Sequence, residues 1–343
     1  MAAINPRVGD DWVWLWKETT WGQAIAAGQA FDRLDCEFSQ PDEGIIQHRP
    51  NRARQTRGLE IDNVRHDKRG TAPLFSMACP VKRLDAAKWM YLAFQNVSEA
   101  AGTPFLKTYT WMTTQPDFQS DAGIVFALAS KGLQDASSGI QIGDALCKRV
   151  VFKCSRDAND GLLMVNADWI ARGPAAPTYN STGVITEIAQ TFYHFDSINA
   201  VLIEGMAAYP SDVEIEFVLD IVPYSIAGGA TATQFLTYVI RDYKALMKIK
   251  CLWTTDAFAT FNKLAPRSDN DSAPIEAAVV LQWGSAAAEG YLGFSGNTIV
   301  LPSSRIVDGS PREIQFDLEC VRNVTGALEP ITGYCADAVD RIW

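Results

Sequence analysis

Acid–base, nucleophilic and metal chemistry have little to build on in this chain. Three histidines occur, His48, His66 and His194. The first two fall in a basic stretch and the third follows Phe192 and Tyr193, so each is expected to be structural or solvated rather than part of a triad. No H-E-x-x-H, nucleophile elbow, P-loop or G-x-G-x-x-G is present. Asp269-Asn270-Asp271 opens like a calcium loop but lacks the glycine and the distal glutamate at the required spacing. The cysteines Cys36, Cys79, Cys147, Cys154, Cys251, Cys320 and Cys335 are scattered and form no C-x-x-C pair. Several occupy apolar strand positions, where a free thiol behaves as a small hydrophobe. The expectation is a protein that is not an enzyme, with no catalytic residue, metal ligand or cofactor.

Two charge patterns do point to recognition. Between His48 and Gly70 the residues Arg49, Arg52, Arg54, Arg57, Arg65, Lys68 and Arg69 outnumber Glu60, Asp62 and Asp67. The segment carries +4 on a chain whose total is −10. It lacks interleaved aromatics and the remaining surface repels phosphates, which favours an extended arm docking on an acidic neighbour over a nucleic-acid arm. The second pattern is a pair of acidic strand faces. Glu214, Glu216 and Asp220 alternate with Val213, Ile215, Phe217, Leu219 and Ile221, and Glu313, Gln315, Asp317 and Glu319 alternate with Ile314, Phe316, Leu318 and Cys320. Period two over this length is a half-buried strand whose polar side faces water or a partner.

The elements that position these groups are mostly strands. With 343 residues, 48% hydrophobic and 20% charged, the chain reads as an ordinary folded protein able to bury a large core. The acidic balance argues against a general binder of nucleic acid or anionic membrane. No run of 18 apolar residues predicts a membrane helix, and the first 25 residues, which include Asp10, Asp11 and Glu18, do not read as a signal peptide. Strands are predicted at 74–81, 123–129, 147–154, 162–170, 200–204, 213–221, 277–283, 298–301 and 313–320, with another around Trp12, Trp14 and Trp16. The turn cluster 155–161 makes 147–154 and 162–170 a hairpin. Helices are predicted from Leu84 to Phe94 and over 255–264, the latter capped by Asp256. Phe235, Leu236, Val239, Ile240, Tyr243, Leu246 and Met247 also fit a helical stripe, giving way to alternation at 247–253. Residues 1–322 are expected to form one domain, with the arm at about 44–70, a possible crossover at 173–182, and a C-terminal tail over 323–343.

The order of elements resembles the tail tube (major tail) proteins of long-tailed bacteriophages. The stretch carrying it starts at Arg69-Gly70-Thr71-Ala72-Pro73 and a strand to Val81. The helix from Leu84, the connection 102–111, the strand near 124–129, Gly143-Asp144-Ala145-Leu146 leading into a strand, and the strand 162–172 follow. The second half is similar in plan, from Ser197 to Cys320. The likeness is one of topology and loose spacing over most of residues 12–322. It implies a tail-tube-type β-sandwich or half-barrel with one or two flanking helices and a long extended loop or hairpin. It implies a structural virion protein, made in the host cytoplasm, whose partners are itself in stacked and commonly six-fold rings, other tail proteins, and genomic DNA as a cargo that must not stick. On that reading Glu214, Glu216 and Asp220 are candidates for the channel wall, with 213–222 expected to pair with 200–204. Arg49, Arg52, Arg54, Arg57, Arg65 and Arg69 are candidates for an inter-subunit arm. The competing class is a β-sandwich enzyme or carbohydrate-binding module using the ten Trp and ten Tyr as a sugar platform.

Overall fold

The computed structural model describes residues 11–17, 32–34, 37–38, 46–51, 65–70, 74–83, 85–100, 102, 104–111, 125–131, 139–143, 145–170, 173–174, 191–224, 237–265, 275–285, 288–322 and 329–337. Those residues are mainly β and the strand pairings are antiparallel. A 15-stranded sheet carries the core, a five-stranded sheet contains Asp11–Lys17, and Ile46–Asn51 with Arg65–Gly70 forms a two-stranded ribbon.

Along the main sheet the order is Met206–Ala207, Ile198–Ile203, Glu276–Trp283, Tyr291–Val300, Glu313–Cys320, Thr237–Leu252, Pro210–Tyr224, Leu146–Ser155, Met164–Ile170, Leu74–Pro80 and Glu37–Phe38. Alternation dictates which side each strand buries. Val213, Ile215 and Phe217 are buried, as are Ile314, Phe316 and Leu318, while the acids between them are not. The sheet folds back on itself. Phe152 and Phe294 bring their rings within 5.4 Å although three strands separate their own strands in the sheet order. Phe217 packs edge-on to Phe152 at 6.3 Å, and Phe94 reaches it from the first helix at 4.8 Å.

That helix, Ala86–Phe94, is buried along its whole length, so it is enclosed by strands rather than flanking them. Gly333 is what lets it approach: a Cβ there would collide with Met90 and Phe94. The second helix, Thr255–Leu264, has the predicted bounds but not the predicted cap. Thr254 accepts from the Ala257 N–H at 3.0 Å, which leaves Asp256 in the first turn, where its charge suits the helix dipole.

Four expectations are corrected. The helical stripe through Val239, Ile240, Tyr243, Leu246 and Met247 is not a helix: Thr237–Leu252 is one 16-residue strand, and Phe235 and Leu236 lie outside the described residues. Its register with Pro210–Tyr224 slips between Asp220 and Ile221, so Arg241 is an extra residue and Ile240 and Tyr243 both pack on the same small cluster. A bulge thus spaces two inner residues by three, which imitates a helix. The 213–222 segment does not pair with 200–204. Pro210–Tyr224 lies between Leu146–Ser155 and Thr237–Leu252, whereas Ile198–Ile203 pairs with Glu276–Trp283 and turns tightly at Glu204 and Gly205 into Met206–Ala207. The 298–301 strand starts much earlier, at Tyr291, through two glycines that hid it. The tail at 323–343 contributes Ile331–Asp337, an interior strand between Tyr291–Val300 and Phe105–Thr110.

Candidate functional site

Charge recognition has to be built on the outer side of the central strands. There the long hairpin Pro210–Tyr224/Thr237–Leu252 divides into two halves. Over 212–218 and 246–252 it is flanked on both sides, by Leu146–Ser155 and by Glu313–Cys320. Glu214 and Glu216 there meet cations from a neighbouring strand. Glu214 pairs with Lys153 at 3.1 Å and lies opposite Lys248. Glu216 accepts from the Arg149 guanidinium, which also reaches Asp168 at 3.4 Å. Lys250 pairs with Glu313, and Lys244 with Glu319 at 3.4 Å.

The protonation states follow from these partners. A hydrogen bond to Glu214 holds the Lys153 ammonium above its ordinary range. Burial works against the Arg149 charge, but Glu216 and Asp168 outweigh it and the guanidinium is held more firmly protonated. Burial alone would push the Glu313 carboxyl up; hydrogen bonds to Lys250 and Ser211 reverse this and hold it below the usual range. Asp212 is the exception. Burial pushes its carboxyl up, and Lys153, Lys248 and Lys250 offset this only in part.

Beyond this paired zone the hairpin continues alone. Leu146–Ser155 stops pairing at Val218, and Glu313–Cys320 does not pair beyond Leu246. Among the described residues, 219–224 and 237–243 therefore pair only with each other, as a projecting ribbon with both edges open. Its inner side is anchored: Leu219 and Ile221 are buried with Leu146 and Ile170, and the Tyr243 ring meets Trp111 at 5.9 Å. On its outer side Asp220 stands directly opposite Asp242, and both are exposed. The Asp242 carboxylate accepts from the Tyr243 N–H at 2.9 Å.

Of the three acids singled out in the sequence, Glu214 and Glu216 are therefore half-buried in ion pairs, and Asp220 is exposed on the ribbon. Arg149, Lys153, Lys244, Lys248 and Lys250 were missed. Part of their signal was legible: Arg149 and Lys153 lie on the side opposite Val150 and Phe152, and Lys248 and Lys250 alternate with Met247, Ile249 and Cys251. In the basic segment, Arg49 lies opposite Asp67, Arg65 opposite Asn51 and Arg69 opposite Gln47. Arg52, Arg54 and Arg57 fall outside the described residues.

His194 takes part through its backbone: the Ser197 hydroxyl donates to its carbonyl at 2.6 Å, and its own N–H donates to Ser197 Oγ at 3.1 Å. The six described cysteines are free and buried. Burial pushes the thiols of Cys154, Cys251, Cys320 and Cys335 up to about 12, which leaves them poor nucleophiles at neutral pH. Among the described residues no group of three or more His, Cys, Asp or Glu could hold a metal ion, and no helix is long and apolar enough to cross a membrane. The segment 269–271 lies outside the described residues. The chain matches no protein-family model and no curated protein.

Proposed function

We propose that this chain is a structural subunit that assembles with copies of itself into stacked, commonly six-fold rings, as the tail tube of a long-tailed bacteriophage through which DNA leaves the virion. The observation that carries this reading is the projecting ribbon 219–224/237–243, whose two edges meet no other strand among the described residues. Open edges are a liability in a monomer, and a two-stranded ribbon is marginal on its own in water. Ribbons set side by side in a ring, 219–224 of one copy along 237–243 of the next, close both edges.

The charge pattern agrees with a wall that DNA slides along. Duplex DNA carries one negative charge about every 1.7 Å of its axis, so a cationic wall would hold it. The paired zone offers its lysines to carboxylates already in place, and the exposed Asp220–Asp242 rung adds negative charge with no ion pair among the described residues. This shifts the candidate wall residues from Glu214 and Glu216 to Asp220 and Asp242. The ribbon 46–51/65–70, which pairs with no other strand among the described residues, is read as the arm that docks on a neighbouring copy. Negative-stain microscopy of the purified full chain tests the reading. Rings or tubes are the expected result, and dispersed monomers at every concentration would reject it.

A further inference from the structure

A second cluster lies on the opposite side of the sheet from the charged face. Val97–Ala100, Phe105–Thr110 and Ile331–Asp337 are three consecutive antiparallel strands. Lys107 occupies the middle one with its side chain fully buried, and its Nζ lies 3.6 Å from Glu99 Oε1 on the strand opposite. On its other side Lys107 faces Cys335, and Asp337 follows two residues on, hence on the same face and diagonal to Lys107. Asp337 is 4% exposed. Burial and then the Asp337 carboxylate push the Cys335 thiol up against the opposing Lys107 ammonium, and burial, Cys335, Glu99 and Asp337 push the Tyr109 hydroxyl up, so these five strand positions lie close together. Tyr109 also closes the site toward the buried helix by donating to the Ala87 carbonyl at 3.2 Å.

We propose that Lys107 and Asp337 are joined by an intramolecular isopeptide bond, formed by the protein itself, with Glu99 as the proton shuttle. The chemistry balances without a co-reactant. Proton transfer from the Lys107 ammonium to the Asp337 carboxylate replaces two charges that are costly to keep dry with a neutral amine and a neutral acid. The amine nitrogen attacks Asp337 Cγ. The Glu99 carboxylate takes a proton from that nitrogen and returns it to the departing hydroxyl. One C–N bond forms, one C–O bond breaks, one water leaves, and nothing is oxidised or reduced. Fixed neighbours in a water-poor site react with effective concentrations of about 10⁵–10⁸ M, which is what amide formation against bulk water requires. Glu99 suits the shuttle role because its side chain is 36% exposed and can exchange protons with solvent, while the buried Asp337 is the acceptor carbon. The bond would tie the C-terminal strand to residue 107 and resist pulling along the chain. It is independent of the tail-tube reading.

Intact-mass spectrometry of the purified, denatured full chain tests this directly. The expected mass is one water below that of the sequence, with or without Met1, and digestion yields one branched peptide containing Lys107 and Asp337. Lys107→Ala and Asp337→Ala are expected at full mass, and Glu99→Gln is expected to slow the loss of water by about 100-fold or more. Full mass for the wild type after prolonged incubation at neutral pH overturns the proposal, whether or not the variants fold. A branch mapped to Glu99 instead of Asp337 also overturns it, and cross-linking of Glu99→Gln at the wild-type rate removes the shuttle role.

Discussion

One pair of strands runs through two environments. Over 212–218 and 246–252 the long hairpin lies inside the sheet, and its outer acids are matched by Lys153, Arg149, Lys248 and Lys250. Over 219–224 and 237–243 the same alternation continues, yet two aspartates face each other with no neighbouring strand on either side among the described residues. The residue pattern is one pattern; what differs is who stands next to it. A carboxylate on a strand becomes structural when the adjoining strand supplies a cation, and becomes a recognition element when the sheet ends first.

The difference can be broken most severely from the core. Phe217 touches Phe94, Phe152 and Phe294 beneath the paired half, so Phe217→Ala is expected to cost about 3–5 kcal/mol in chemical denaturation. Ile221 belongs to the small cluster beneath the ribbon, so Ile221→Ala is expected near about 2 kcal/mol, with its effect concentrated in the ribbon's own hydrogen exchange.

Glu313 and Asp212, which flank Lys250, are expected to respond to pH with opposite signs. The native Glu313 carboxyl is held below its unfolded value, so its contribution is present above the ordinary glutamate range and disappears as pH falls through the depressed native value. Glu313→Gln should therefore cost about 1–2 kcal/mol at pH 7 and progressively less in acid. Asp212 is held above its unfolded value, so its contribution is present below the ordinary aspartate range and is lost as pH rises through the raised native value. Asp212→Asn should raise the melting temperature at pH 7 and leave it unchanged in strong acid. Thermal melts over a pH series read both.

The smallest effects sharpen the comparison itself. Glu214→Gln removes a partly exposed pair and should cost about 0.2–1 kcal/mol. Asp220→Asn relieves a like-charge rung and should stabilise the dissociated chain by a similar amount, about 0.2–1 kcal/mol. Equal signs for the two would show that the halves do not differ as described.

Much of this was legible in the residues. The alternation at 213–221 gave the correct buried face at every position, that at 313–320 did so except at Gln315, which is buried although it lies on the polar side, and the hairpin around 155–161 formed as expected. Neighbour choice was not legible. That Glu214 meets Lys153 depends on which strands adjoin, and local alternation carries no information about order in the sheet. The bulge at Arg241 defeated periodicity outright, because one inserted residue turns a spacing of two into three. The buried charge of Lys107 was equally hidden, since a lysine in Phe105–Thr110 looks like any solvent-facing residue until Ile331–Asp337 covers it.

The central claim is that the ribbon's open edges are closed by other copies. Hydrogen exchange read by mass spectrometry, compared between dilute and concentrated protein, tests it at the backbone. The amides of 219–224 and 237–243 are expected to gain protection as concentration rises, while those of 212–218 and 246–252 stay as they are. Ribbon amides that exchange equally fast at all concentrations, including those at which the protein is assembled, would contradict the account.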